Sequence, residues 1–217
     1  MNAGVPMNLY TFFNSSASYR VRIALALKGL AAEPIGINLR SGAQRGDDFL
    51  ALNPSGQVPT LVDGTTRLSQ SLAIIDYLDR LHPEPLLVPA GGQARGQVLE
   101  IAQLIACDIH PLNNLKVLKY LMAEMGLSDT QKNTWYAHWI AIGFDGLEAM
   151  LPDQDGWCVG DAPTLADCCL VPQVANAERM KINLSAWPRI VRIAAFARQH
   201  PAFVQAEPQR QPDYMAP

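Results

Sequence analysis

The spacing of apolar residues changes character several times in the first third of the chain. "MNLYTFF" (7–13) reads as a strand, while "SYRVRIALALKG" (18–29) carries helical spacing and is closed by Gly29. "EPIGINLR" (33–40) returns to alternation at Ile35, Ile37 and Leu39, which completes a βαβ unit. "DDFLALNP" predicts a short helix stopped before Pro54, and Asp63-Gly64 between two apolar runs predicts a hairpin. "SQSLAIIDYLDRLHP" gives one more helix, ending at Pro83. The resulting order, β-α-β-α-β-β-α, describes a small mixed sheet: the crossover makes its strands parallel and the hairpin adds antiparallel ones.

"HPEPLLVPAGGQ" (82–93), with its prolines and glycines, marks a linker. Beyond it, Val98, Ile101, Ala102, Ile105 and Ile109 recur at helical spacing, in a helix that Pro111 should bend or interrupt and Gly126 should stop. Ser128 with Gln131, and Thr164 with Asp167, form capping boxes for two further helices; the first carries Trp135, Trp139 and Ile142. Another helix follows "LSAWP", no internal repeat is visible, and the end "EPQRQPDYMAP" reads as a poorly packed tail. The expected domains are 7–84, a mixed α/β domain, and 93–210, an all-helical one.

Composition narrows the chemistry. With 217 residues and 49% hydrophobic content the chain can bury a substantial core, and a formal charge of −3 without a basic stripe argues against nucleic acid as a partner. No apolar run reaches the roughly 20 residues of a membrane span, and "MNAGVPMNLY" lacks the marks of a secretory leader, so the cytoplasm is the expected compartment. Cys107, Cys158, Cys168 and Cys169, like His82, His110, His138 and His200, show no metal-site spacing; the thiols read as reduced and structural, and no metal is expected. Any chemistry then uses a borrowed reagent.

Three short stretches could hold one. Ser15, Ser16 and Ser18 precede an apolar helical run, where a serine is first of all an N-cap; the same helix start offers N–H donors and partial positive charge to an anion, a thiolate included. Val58-Pro59, in "NPSGQVPTLVDG", is either an ordinary turn or a backbone edge presented to an extended peptide, with Pro59 cis or trans. Gln70-Ser71 open a helix and serve as a cap or as a carboxylate site. Together a thiolate site, a strand-like edge and a carboxylate site fit a short thiol peptide, for which glutathione is the candidate.

On these residues the chain resembles the zeta class of glutathione transferases, the maleylacetoacetate isomerases. "SSASYRVRIAL" resembles the class signature, "NPSGQVPTLVDG" and "QSLAIIDYL" its glutathione site, and "DIHPLNNLKVLKY" with "TLADCCLVPQVANAERMKINL" its helical domain. The resemblance implies a thioredoxin-like βαβαββα domain followed by a helical domain, and a homodimer. It implies that Ser15 and Ser16 lie at the glutathione sulfur, that Gln44, Val58 and Pro59 hold the peptide, and that Gln70 and Ser71 grip the γ-glutamyl carboxylate. His110, Asn114 and Lys116 would line the cleft from the helical domain, and Arg179 would face an acidic substrate. Read without the resemblance, His110 is a satisfied core histidine, Lys116 a solvated cation and Arg179 half of a surface ion pair.

One departure is Ala17, where members of the class commonly carry cysteine. The implied reaction is cis–trans isomerisation of a diketo acid, maleylacetoacetate, to fumarylacetoacetate by reversible thiolate addition, rotation and elimination, in aromatic amino acid catabolism. The alternatives are a maleylpyruvate isomerase, a glutathione transferase acting on small α-halo acids, and a non-catalytic module on the same fold.

Overall fold

Local signals account for most of the elements in the computed structural model, which describes residues 7–216; residues 1–6, part of the stretch read for a leader, and residue 217 lie outside it. Strand β1 (Met7–Thr11) leads to helix α1 (Ser16–Leu27), which ends as Gly29 predicts. Gly29 takes φ +63° while its N–H and that of Leu30 bond the carbonyls of Ala26 and Leu25, a Schellman closure that suits a residue without Cβ. Strand β2 (Ala32–Gly36) pairs parallel with β1, so the βαβ unit stands as expected.

Helix α2 (Asp47–Leu52), the hairpin of β3 (Thr60–Asp63) and β4 (Thr66–Ser69), and helix α3 (Ser71–Leu81) follow in the predicted order. Asp63 pairs with Thr66, and Gly64 at φ +57° makes the tight turn. The strand order is β2-β1-β3-β4, with β3 antiparallel to both of its neighbours. Because β2 is an edge strand, Pro34 sits in it without breaking the sheet.

Strand β2 is shorter than the alternation predicts. It stops at Gly36, and Ile37 and Leu39 instead pack on a buried cluster of Phe12, Phe13, Phe49 and Val58. Alternation therefore reported burial correctly but not strand pairing.

The chain divides into two compact units, one running to Leu87 and rejoined from Gln199 onward, the other Val88–Arg198. Leu9, Val21, Ile23, Leu61, Ile74, Ile75 and Leu78 form the core of the first. Its final segment contains helix α10 (Pro201–Gln205), which packs on α1. The residues after it correct the poorly packed tail: Asp213 accepts the Phe13 N–H at 2.8 Å, and Met215 joins the phenylalanine cluster. Residues 199–210, expected with the helices beyond residue 93, belong to the first unit because their partners lie on α1, where Tyr19 and Arg22 donate to the carbonyls of Phe203 and Ala206.

In the second unit α4 (Gly92–Gln103) runs into a π-helical turn at Leu104–Ile109, then α5 (His110–Leu112) and α6 (Leu115–Ala123). The interruption predicted from Pro111 thus spreads over the turn before it, since proline cannot supply the next helical N–H. Both capping boxes are present, on α7 (Asp129–Met150) and α8 (Leu165–Arg179). Helix α9 (Pro188–Ala197) has its first N–H groups, those of Arg189 and Ile190, taken by the Glu148 carboxylate from α7 at 2.8 and 3.0 Å.

Helix α7 approaches the π-helical turn closely at Gly143, where a Cβ would lie 2.3 Å from Ile109 Cγ1. Gly143→Ala is therefore expected to cost about 1–3 kcal/mol of stability, read as a lower denaturation midpoint, and Ile109→Ala in the same chain to recover part of that loss.

Candidate functional site

The first unit gathers the three stretches singled out in the sequence at the ends of neighbouring elements. Ser15 caps α1, its Oγ accepting the Ser18 N–H at 3.2 Å. The plain capping role is therefore real, and it does not compete with a chemical one: a hydroxyl oxygen that accepts from the backbone keeps its proton to donate outward. Ser16 is buried at the first position of the helix and Ala17 is half-buried behind it. No acidic residue stands in the first turn, so no side-chain carboxylate competes for the positive end of α1.

The turn feeding this cap is held from the inside of the protein. Phe12 carbonyl accepts the Ser15 N–H at 2.9 Å, and buried Arg22 donates to the carbonyls of Phe12 and Phe13 at 3.4 and 3.0 Å and to Thr11 Oγ1 at 3.3 Å. Burial lowers the Arg22 guanidinium to about 10, against the raising influence of Asp213 and Tyr19, which leaves it charged at neutral pH. Two positions earlier on the same helix, Arg20 reaches Ser71 Oγ at 3.3 Å, tying the opening turns of α1 and α3 together.

At the start of α3, Gln70 has φ +79° and ψ 114°, a conformation that costs a residue with a Cβ about 1–3 kcal/mol and is maintained only where surroundings impose it. Gln70 is exposed and makes no side-chain cap, while Ser71 is buried.

The Val58-Pro59 bond is cis. Among the described residues no hydrogen bond uses the Val58 backbone, which stands just before β3. Asn53 shapes this loop: its Nδ2 donates to Gln57 O at 2.7 Å and Thr60 Oγ1 at 3.0 Å, and its Oδ1 accepts from the N–H and hydroxyl of Ser55. Gln44, on the 3₁₀ turn Ala43–Arg45, lies against the same loop, since a Cβ on Gly56 would come within 3.0 Å of its carbonyl oxygen. The Gln44 side-chain Oε1 is buried without a hydrogen-bond partner, a cost that a ligand donor would relieve.

The residues singled out in the second unit form a chain of contacts of their own. Asn114 caps α6 by accepting the Lys116 N–H at 3.0 Å, and its amide stands 3.4 Å from His110 Nε2. Lys116 is exposed. Arg179, exposed in the last turn of α8, hydrogen-bonds the hydroxyl of Tyr136 on α7. Burial raises the Tyr136 hydroxyl above its ordinary range, and the charge and hydrogen bond of Arg179 counter this. Asn113, next to the cap, donates to Tyr136 O at 3.3 Å, so Tyr136 connects the α5–α6 corner with Arg179.

The protein's own thiols are ill-suited to the chemistry. Cys158, Cys168 and Cys169 are buried, and burial raises Cys158 well above the usual thiol range. Only Cys107 is exposed among them. Sequence reasoning missed Arg20, Arg22, Asn53 and Asp213. The first two were visible as charges inside an otherwise apolar helix; Asp213 had no local signal at all.

Residues 5–80 match the family "Glutathione S-transferase, N-terminal domain". A protein of Vibrio cholerae described as a probable maleylacetoacetate isomerase is 50% identical over 208 residues, covering 94% of this chain and 97% of its own. A solved structure described as holo maleylpyruvate isomerase, a bacterial glutathione S-transferase of the zeta class, is 42% identical with a TM-score of 0.93, covering 96% of this chain and 100% of that one. The chain belongs to the zeta class of glutathione transferases. Another solved structure, described as a maleylacetoacetate isomerase from Methylobacterium extorquens AM1 with bound malonate and GSH, has a TM-score of 0.91 at 38% identity, over 96% of this chain and 100% of that one.

In this zeta-class chain the Ser15 cap is also a stability element. Ser15→Ala is expected to lower unfolding free energy by about 1 kcal/mol, and Ser15→Asn, which keeps a capping oxygen, by much less, as denaturant titration would read.

Proposed function

We propose that the chain catalyses the glutathione-dependent cis–trans isomerisation of maleylacetoacetate to fumarylacetoacetate in aromatic amino acid catabolism. The observation that carries this reading is the tie from Arg20 on α1 to Ser71 on α3, which joins the capped start of one helix to the conformationally forced start of the other. Those helix starts suit the two anionic ends of glutathione, its thiolate and its γ-glutamyl carboxylate. The choice of substrate rests on the 50% identity, over nearly the whole length, to the Vibrio cholerae protein.

Bound glutathione supplies a reversible thiol nucleophile that opens the conjugated double bond to rotation. The protein's part is to hold and polarise. Ser15 Oγ–H, with Ser16 beside it and the N–H groups of the first turn of α1, stabilises negative charge at the sulfur; too strong a grip would blunt the nucleophile, which suits neutral hydroxyl donors over a cation. The Val58 backbone, beside Pro59, pairs with the extended tripeptide, and Gln44 offers it a buried acceptor. Gln70 and Ser71 bind the carboxylate, with the Arg20 charge behind them. In the second unit, Arg179, steadied by Tyr136, binds the substrate acid.

We also read the protein as a cytoplasmic homodimer acting on small soluble acids. Four cysteines without a disulfide fit a reducing compartment, and no helix of the described residues is long and apolar enough to cross a membrane. A second substrate reading, maleylpyruvate, is favoured by the 42%-identical maleylpyruvate isomerase structure.

The test is turnover by purified protein of maleylacetoacetate, maleylpyruvate and dichloroacetate, with and without glutathione. Strictly glutathione-dependent isomerisation, fastest with maleylacetoacetate, is expected; preference for maleylpyruvate or for the halo acid would overturn the substrate assignment. Ser15→Ala should lower kcat by about ten- to a hundredfold, the worth of a hydrogen bond to a charged group. Arg179→Ala should raise KM for the diketo acid by a similar factor while leaving glutathione affinity alone.

A further inference from the structure

The end of the chain returns to the beginning with specific bonds. Asp213 Oδ2 accepts the Phe13 N–H at 2.8 Å, a contact between residues 200 apart in sequence. Tyr214 sets its ring at 5.3 Å and 84° to that of Phe13, an edge-to-face contact, and Met215 packs on the cluster that contains Phe12, Phe13 and Val58. Asn38 also reaches the Met215 sulfur, at 4.0 Å. Gly36 makes room for this return, because a Cβ there would lie 2.9 Å from Asp213 Cβ. Slightly upstream, Ala206 O accepts from Arg22 Nε at 3.1 Å.

These contacts converge on one turn. The Phe13 N–H is taken by Asp213 and its C=O by Arg22, while Phe12 C=O receives both the Ser15 N–H and Arg22. The peptide groups that set the position of Ser15 are thus fixed from one side by α1 and from the other by the chain end. Met215 packs on the cluster to which Val58 also belongs. Asp213 also places negative charge near the buried guanidinium of Arg22, so the clasp and the arginine support one another.

We propose that Asp213–Met215 is a clasp that positions the glutathione site, with Asp213 a positioning residue acting through the Phe12–Ser15 turn. This rests on the reading of the site as a glutathione site. The clasp touches no reacting atom, and its work is to keep the Ser15 hydroxyl and the Val58 backbone where the tripeptide needs them.

The full-length chain and three variants, Asp213→Ala, Asp213→Asn and Tyr214→Ala, test it by glutathione titration calorimetry, steady-state kinetics and amide exchange over residues 12–18, with the thermal midpoint as a control for folding. Asp213→Ala should weaken glutathione binding by about tenfold and accelerate exchange over 12–18 by a similar factor, the scale of one lost charge-assisted hydrogen bond. Its KM for glutathione should rise while kcat at saturating glutathione changes little. Asp213→Asn, which keeps an oxygen for the Phe13 N–H, should recover most of the affinity, and Tyr214→Ala should weaken binding by about threefold. If Asp213→Ala fails to fold, the other two variants decide.

Unchanged exchange over 12–18, unchanged glutathione affinity, or an Asn variant as weak as the Ala variant would overturn the clasp. A native chain that binds no glutathione while its Asp213→Ala variant still exchanges faster over 12–18 would instead overturn the reading of the site, leaving the clasp as a support for the turn alone.

Discussion

The buried guanidinium of Arg22 is the constraint on which the arrangement of the first unit turns. A charge taken out of water is costly unless its donors are satisfied, and here they are met by the carbonyls of Phe12, Phe13 and Ala206 and by the Thr11 hydroxyl. Those acceptors come from the end of β1, the turn before α1 and the C-terminal segment. Satisfying one side chain therefore draws the continuous stretch Thr11–Phe13 and the C-terminal segment onto α1 and fixes the path by which the backbone enters that helix.

Two neighbouring arginines on one helix divide the labour. Arg22 faces the entry turn and the chain end, while Arg20 faces α3 and meets Ser71. Both are almost fully buried, which removes the averaging that solvent gives a surface side chain. The reacting edge of the proposed site consists of weak, neutral groups: a serine cap, a loop backbone and the first residues of α3. The strong charges stand behind them. That division fits reversible chemistry, in which a sulfur must be stabilised enough to ionise and not so much that it ceases to attack.

The parts of the fold that could be read in sequence are those decided within a few residues. Gly29 closing α1, the Asp63-Gly64 hairpin and the boxes Ser128–Gln131 and Thr164–Asp167 depend on backbone conformation and nearby side chains, and each is where the pattern put it. Alternation failed as a guide to pairing beyond Gly36, because Ile37 and Leu39 are drawn into a cluster whose other members are distant in sequence. The chain end was illegible for the same reason: nothing near Asp213 indicates that the Phe13 N–H needs an acceptor. In the site, Ser15, Val58 and Gln70 stood out as helix-start and proline signals, whereas Gln70's positive φ and the supporting arginines required the folded structure.

The proposed function requires the starts of α1 and α3, with the Val58 backbone between them in sequence, to form one glutathione site. A crystal structure of the protein soaked with glutathione tests it most directly. The claim predicts the sulfur within hydrogen-bonding distance of the Ser15 hydroxyl, the cysteinyl backbone paired with Val58 and the γ-glutamyl carboxylate on Gln70 and Ser71; glutathione bound elsewhere, or with its sulfur remote from Ser15, would contradict it.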